Sequence, residues 1–273
     1  MKILTSAKIN LNLRVYPETH NKLHLLQTDM IPINIFDELN IEEAQKDSIE
    51  FDNTDLNNID TTVHKSLRLI RKVNKKFDKK FNIFIKKNIP IEAGLGGGSS
   101  NGGSILKFLC EYYDLEFPSS VLIAESIGSD VPFFVNSFPA RVSGYGELIT
   151  PLELNKEFSV VIAVPNITIS TSQVFNQFDL LDNHTTISDY WNEIEIFNDL
   201  WEASKTLKPE LGEIKSKLEN TFQKVFFMSG SGSALFTFLE PEESLEHIHL
   251  NKINLRYFSV SKKIDCSFYQ NVD

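Results

Sequence analysis

Cysteine is almost missing from this sequence: there are two, Cys110 and Cys266, and neither belongs to a Cys-x-x-Cys pair. That excludes a disulfide framework or a cysteine-built zinc site and fits a reducing compartment. No apolar run approaches the ~20 residues that a membrane-spanning helix needs. Lys2 and Lys8 interrupt the start before a signal-peptide core can form. The expectation is a cytoplasmic protein with no membrane partner. Basic charge is also short, with 27 Lys and Arg against 37 Asp and Glu and a formal net charge of −10. A general nucleic-acid binder needs a basic surface, so no nucleic-acid partner is expected. Core-forming residues are present in ordinary amount, and 41% hydrophobic with 23% charged residues excludes a disordered chain.

The 273 residues suffice for two domains, and a break over 151–157 divides the chain into 1–153 and 154–273. Residues 3–15 alternate, with Ile3, Thr5, Ala7, Ile9, Leu11, Leu13 and Val15 on one side and Lys8, Asn10, Asn12 and Arg14 on the other. That period predicts one strand with one buried face. Further strands are expected over 31–41, 81–85, 141–149, 158–164, 225–228, 234–239 and 257–260. Val63, Leu67 and Ile70 recur at helical spacing, predicting a helix over 61–73. Other helices are expected from about Ser99 through Tyr113, from Pro118-Ser119-Ser120 to Ile127, over 172–178, 188–207 and 211–218, and from Glu242 onward. Strands and helices are mixed rather than alternating, which favours an α+β fold. The lysines at 72, 75, 76, 79, 80, 86 and 87 read as a solvated helix end and strand. A local field drawing in an anionic substrate is the other reading.

The strongest local feature is Pro90-Ile91-Glu92-Ala93-Gly94-Leu95-Gly96-Gly97-Gly98-Ser99-Ser100, followed by Asn101-Gly102-Gly103. It lies between an expected strand and an expected helix. Glycines let the backbone turn tightly and bring several N–H groups to bear on one anion. The helix that follows adds its positive end, and Ser99 or Ser100 could cap it. No lysine follows the glycines as a Walker A loop requires. Ser99 stands where a dinucleotide fingerprint has its third glycine. The His-Arg-Asp and Asp-Phe-Gly tripeptides of protein kinases are absent. The residues therefore point to a phosphate-bearing ligand held by none of these three devices.

Phosphoryl transfer needs positioning, charge neutralisation and a carboxylate near the attacking hydroxyl. Asp130, set beside the apolar Val131-Pro132-Phe133-Phe134, needs a cation partner if buried. Lys8 could supply it. From spacing alone, Asp130 reads equally as a helix-end turn residue and Lys8 as a solvent-facing strand lysine.

Four stretches, read together, resemble the GHMP kinases (galactokinase, homoserine kinase, mevalonate kinase and phosphomevalonate kinase). They are Ser6-Ala7-Lys8-Ile9-Asn10-Leu11, the glycine loop, Ile127-Gly128-Ser129-Asp130-Val131-Pro132-Phe133-Phe134 with Gly144-Tyr145-Gly146-Glu147, and Met228-Ser229-Gly230-Ser231-Gly232-Ser233. More narrowly the chain is similar to members that phosphorylate a cytidine diphosphate-linked sugar alcohol on the way to isoprenoids. The resemblance implies a two-domain fold, with an N-terminal domain like ribosomal protein S5 and a ferredoxin-like C-terminal domain. It implies ATP, held by residues 90–100, and a catalytic pair of Lys8 and Asp130. It implies an acceptor site using Asn10, His24, Phe175, Ser231 and Gly232, with His24 and Phe175 meeting the cytosine. ATP in turn implies Mg²⁺, for which no ligand set stands out. A small-molecule partner and a monomer or homodimer are expected.

The chain departs from the narrower pattern in three places. Asn21-Lys22-Leu23-His24 lacks the usual tyrosine before the histidine, Glu92 brings negative charge to the loop, and Gly102-Gly103 replaces small alanines. The two glycines should each weaken the helix by roughly 1 kcal/mol. His247 and His249, two apart on an expected helix, do not share a face and read as solvated rather than metal-binding.

Overall fold

The computed structural model describes residues 1–20, 23–154, 158–181, 188–191, 193–240, 243, 245, 250, 253–264 and 269–270. Asn21 and Lys22, most of the helix expected from Glu242 with His247 and His249, and Cys266 lie outside the described residues. In chain order the strands are β1 (Lys2–Asn10), β2 (Asn12–His20), β3 (Leu23–Ala44), β4 (Ser48–Phe51), β5 (Lys80–Lys86), β6 (Ala140–Gly144), β7 (Leu148–Pro151), β8 (Ser159–Pro165), β9 (Asp189–Trp191), β10 (Ile194–Asn198), β11 (Phe227–Met228), β12 (Leu235–Leu239), β13 (Leu255–Lys262) and β14 (Tyr269–Gln270). The helices are α1 (Thr62–Val73), α2 (Gly97–Tyr112), α3 (Ser120–Ser126), α4 (Val131–Asn136), α5 (Thr171–Asp179), α6 (Trp201–Leu207) and α7 (Pro209–Phe222).

Two sheets carry the fold. In the larger, β3 is a 22-residue spine. Its first part pairs with β2 and β6, and its later part with β1 and β5. β4 pairs with β5 and β7 with β6, and β9, β10 and β14 from the second half of the chain complete this ten-stranded sheet. Helices α1 to α4 lie on one face, where Leu39, Ile41, Ile83 and Ile85 pack against Leu67, Ile70, Ile105 and Leu109. The smaller sheet runs β11-β12-β8-β13, all antiparallel. Its one face meets α5, α6 and α7 through Val161, Ala163, Val174 and Leu218. Its other face packs on the large sheet, Val160, Ile162 and Phe236 against Ala7, Ile9 and Ile33.

Several elements differ from the sequence expectation. Residues 3–15 are not one strand: β1 ends at Asn10, and the Leu11 amide donates to the Asp29 carbonyl at 2.8 Å before β2 begins. The odd-numbered residues of β1 also do not share one face. Ile3 packs against helix residues and Thr5 takes a hydrogen bond from Asn101 of α2, whereas Ala7 and Ile9 pack against the small sheet. The switch coincides with a break in the β1–β3 register between Ser6 and Ala7. Such irregularities re-aim the side chains beyond them. Residues 141–149 form the β6–β7 hairpin, and 188–207 hold β9, β10 and α6 rather than one helix. Gly144 and Gly146, with φ of 72° and 114°, turn the chain between β6 and β7. Finally, α4 after Asp130 was not anticipated, although Pro132 in its first turn suits a helix start.

Candidate active site

Beyond the register break, Lys8 and Asn10 face the helices α2 and α4. Lys8 is 2% exposed, so it is not a solvent-facing strand lysine. Its Nζ donates to Asn10 Oδ1 and lies 3.4 Å from Asp130 Oδ2. Asp130 occupies the N-cap position of α4 but makes no side-chain capping bond, and its side chain is 31% exposed. The carboxylate is thus paired with a buried ammonium and still open to the cleft. A buried cation requires such a partner. Asn10 is itself held: its amide donates to Thr28 Oγ1 at 2.8 Å, and its backbone N–H to Ser229 Oγ at 3.3 Å.

The glycine loop closes over this pair. Gly94 and Gly96 have φ of 75° and 73°. A methyl group on Gly94 would fall 2.1 Å from the Ser229 carbonyl oxygen, and one on Gly96 would fall 2.7 Å from the Phe134 ring and 3.1 Å from Lys8 Cγ. The Leu95 carbonyl accepts from the Lys8 N–H and the Ala93 carbonyl from the Ala234 N–H, each at 3.0 Å. Helix α2 starts at Gly97 with Gly96 as its N-cap, so neither Ser99 nor Ser100 caps it. The left-handed Gly96 lets the helix begin two residues early and leaves its first amides without a side-chain cap. Uncapped N-terminal amides are anion donors. Two observations fit a phosphate group here: Ser100 Oγ is buried without a partner, and nothing lies within 4 Å of where a Gly98 Cβ would stand.

Glu92 is exposed with φ of 51°, and Arg256 of β13 lies next to it, donating to the Ile91 carbonyl at 2.6 Å. Burial holds the Arg256 guanidinium below its ordinary value, with the Glu92 charge opposing that shift. Lys87 departs from the solvated reading of the lysine run, since its side chain is 7% exposed and pairs with the buried Asp37. Lys79, Lys80 and Lys86 do lie at the surface, paired with Glu43, Asp47 and Glu38. Lys87, Asn88, Ile89, Pro90, Ile91 and Arg256 help line a cavity of about 410 Å³ beside the loop. A cavity of about 420 Å³, lined by Asn12, Arg14, Asp29 and Arg141, holds none of the expected site residues.

His24 and Phe175 meet each other, stacked with centroids 5.3 Å apart and planes at 19°. His24 Nδ1 faces the Tyr16 carbonyl at 3.2 Å and Nε2 faces Asp179 Oδ1 at 3.2 Å. Asp179 gave no signal in the sequence. Ser231 is turned toward α5, its hydroxyl 2.8 Å from Thr171 Oγ1, and Gly232 with φ of 88° continues that turn. The members of the third glycine motif nearest the centre are Ser229 and Gly230, where a methyl on Gly230 would lie 3.3 Å from Lys8 Nζ. Ser229 and Phe134 lie inside two of the four family-like stretches and Thr28 lies outside them, and nothing in their spacing marks them as supports. No group of three or more His, Cys, Asp or Glu side chains among the described residues could hold a metal, and among them no helix is long and apolar enough to cross a membrane.

The arrangement offers a carboxylate, an ammonium and a ring of backbone donors around one cleft, which suits attack of a hydroxyl on a phosphoryl group. Comparison with known proteins agrees. Residues 62–137 match the family model of the GHMP kinases N terminal domain. A 4-diphosphocytidyl-2-C-methyl-D-erythritol kinase of Desulfotalea psychrophila is 31% identical over 97% of this chain and 91% of its own length. The protein so named in Fusobacterium nucleatum is 33% identical over 87% of this chain and 88% of its own. A crystal structure of 4-(cytidine 5'-diphospho)-2C-methyl-D-erythritol kinase superposes with a TM-score of 0.71 at 27% identity, over 88% of this chain and 90% of that one. The mevalonate kinase of Methanococcus jannaschii shares the fold at a TM-score of 0.60 and 16% identity, over 97% and 98% of the two chains.

Proposed function

Because the chain belongs to the GHMP kinases, among the 4-diphosphocytidyl-2-C-methyl-D-erythritol kinases, we propose that it phosphorylates the 2-hydroxyl of 4-diphosphocytidyl-2-C-methyl-D-erythritol in isoprenoid precursor synthesis. ATP supplies the phosphoryl group. Asp130 accepts the proton of the acceptor hydroxyl as the new O–P bond forms. Lys8 pairs with that carboxylate and aims it, and its charge favours the transferring phosphoryl oxygens. The free amides at the start of α2, with Ser100 Oγ, donate to phosphate oxygens. Lys87 and residues 89–91 line the space for the nucleoside. Mg²⁺, when bound, neutralises phosphate charge and is held by phosphate and water, since the described residues build no cage for it. On the acceptor side, Asn10 addresses the sugar diphosphate, and His24 with Phe175 the cytosine. The reading extends to a cytoplasmic enzyme, monomeric or homodimeric, with residues 1–153 binding ATP and 154–273 forming the second domain.

The observation that carries this reading is the 3.4 Å approach of Asp130 to the buried Lys8 directly under the glycine loop. A coupled assay for ADP release with the cytidine substrate tests it. Asp130→Asn should lower kcat by about 10²- to 10⁴-fold while ATP still binds. Near-normal turnover in that variant, or no ADP from the unaltered protein with this acceptor, would overturn the assignment.

A further inference from the structure

Asp37, on β3, is fully buried and lies outside every motif described above. Its carboxylate collects four donors. Oδ1 accepts the backbone N–H groups of Asn88 and Ile89, each at 2.8 Å. Oδ2 accepts from Lys87 Nζ and, at 3.0 Å, from Asn101 Nδ2. Asn101 closes the ring, taking a bond from Lys87 Nζ at 3.1 Å and giving one to Thr5 Oγ1 at 2.8 Å. Asn88 and Ile89 lead into the glycine loop, and Asn101 stands in α2 just after it. One carboxylate therefore ties the two ends of the loop together. It also sets the aim of Lys87, whose Nζ would lie 3.2 Å from a Cβ on Gly97, the first residue of α2.

We propose that Asp37 is a positioning residue for the nucleotide: it fixes the span of the phosphate loop and holds the Lys87 ammonium against the N-terminal turn of α2. This rests on the reading of that loop as an ATP site. A fully satisfied carboxylate in a buried network rigidifies what it joins, and charged hydrogen bonds are the strongest members of such networks. None of its four partners belongs to the acceptor side, so the effect falls on ATP alone.

Asp37→Asn keeps the shape but turns an NH₂ toward one pair of donors, whichever way the amide lies. The KM for ATP and the Kd for a non-hydrolysable ATP analogue should rise roughly 10- to 100-fold, while the KM for the acceptor stays unchanged. Asn101→Ala, which cuts one leg and leaves the Asp37–Lys87 pair, should shift ATP in the same direction by less. Adding Lys87→Met to Asp37→Asn removes the uncompensated buried charge and should restore the melting temperature without restoring ATP affinity. A merely structural Asp37 would give the opposite pattern, with lower stability and unchanged KM for ATP in the folded fraction. ATP binding at wild-type strength in Asp37→Asn or in the double variant would overturn the proposal. Failure of the unaltered protein to bind the analogue would instead refute the ATP site itself.

Discussion

Gly103→Ala offers a sharp test of how the catalytic carboxylate is held. The added methyl would stand 2.8 Å from Phe134 Cβ and 2.9 Å from both the Phe134 carbonyl carbon and the Val131 oxygen. Carbon atoms pack comfortably at about 3.5–4.0 Å, so α4 must retreat from α2 by roughly 0.5–1 Å. Two of the three obstructing atoms are backbone, so no side-chain rotation relieves the contact. The helix gains up to about 1 kcal/mol from losing a glycine, against about 1–3 kcal/mol for overpacking. The net loss of stability is therefore small, on the order of 0–2 kcal/mol. The kinetic effect is larger, because Asp130 directly precedes α4 and moves with it.

A displacement near 1 Å at a reacting group can lower the rate on the order of 10²-fold. Steady-state kinetics should show kcat reduced about 10- to 100-fold with the KM for ATP nearly unchanged, since the loop is held separately. The control is Gly212→Ala in α7, where the methyl would meet only the flexible Lys205 side chain at 3.3 and 3.4 Å. That variant should gain up to about 1 kcal/mol with unaltered kinetics. A Gly103→Ala protein with wild-type kcat would refute the argument that this contact sets the base.

Three further outcomes can be checked. Gly98→Ala should fold as well as the parent, since nothing stands within 4 Å of the new methyl, yet raise the KM for ATP by about tenfold or more by occupying the space a phosphate oxygen needs. Burial, aided by the nearby Glu111 charge, pushes the Cys110 thiol up to about 11, so maleimide at pH 8 should leave it unlabelled in the native protein and label it after denaturation, read by peptide mass spectrometry. An unfolded thiol releases its proton near pH 8.5, so this group should also make the native state lose stability as pH rises above that value.

Much of the site was legible because its chemistry is written in short runs. The glycine loop could be named from residue types and order, and Lys8, Asn10 and Asp130 through the family resemblance of the runs that hold them; the geometry brings all of them to one cleft. What could not be read was direction. Strict alternation from Ile3 to Val15 implies one face, but the register break between Ser6 and Ala7 reverses it, and only that reversal turns Lys8 toward Asp130. Gly102 and Gly103 looked like a loss of helix propensity. In the fold they are sites of close helix packing: a methyl on Gly102 would fall 2.9 Å from Thr62 Cβ of α1, and one on Gly103 would run into α4. Lys87 looked like one surface lysine among seven because its partner Asp37 lies 50 positions away, beyond the reach of any local pattern.

The two halves of the cleft are built from different material, and this governs which properties a sequence can reveal. The phosphate side consists of backbone groups whose positions follow from glycines at φ of 75° and 73° and from buried pairs, so it stands ready before any ligand arrives. The base side consists of side chains that satisfy each other. With centroids 5.3 Å apart, His24 and Phe175 already form a stacked pair and leave no gap for a third ring between them. On the proposed reading, a cytosine takes an outer face of the stack or parts it, and in parting it competes with Asp179 for His24 Nε2. In that reading acceptor recognition exchanges one set of contacts for another, and changes such as Leu23 in place of tyrosine bear on it directly. The proposed transfer chemistry, anchored in main chain and in the pairing of buried Lys8 with Asp130, is insulated from those changes.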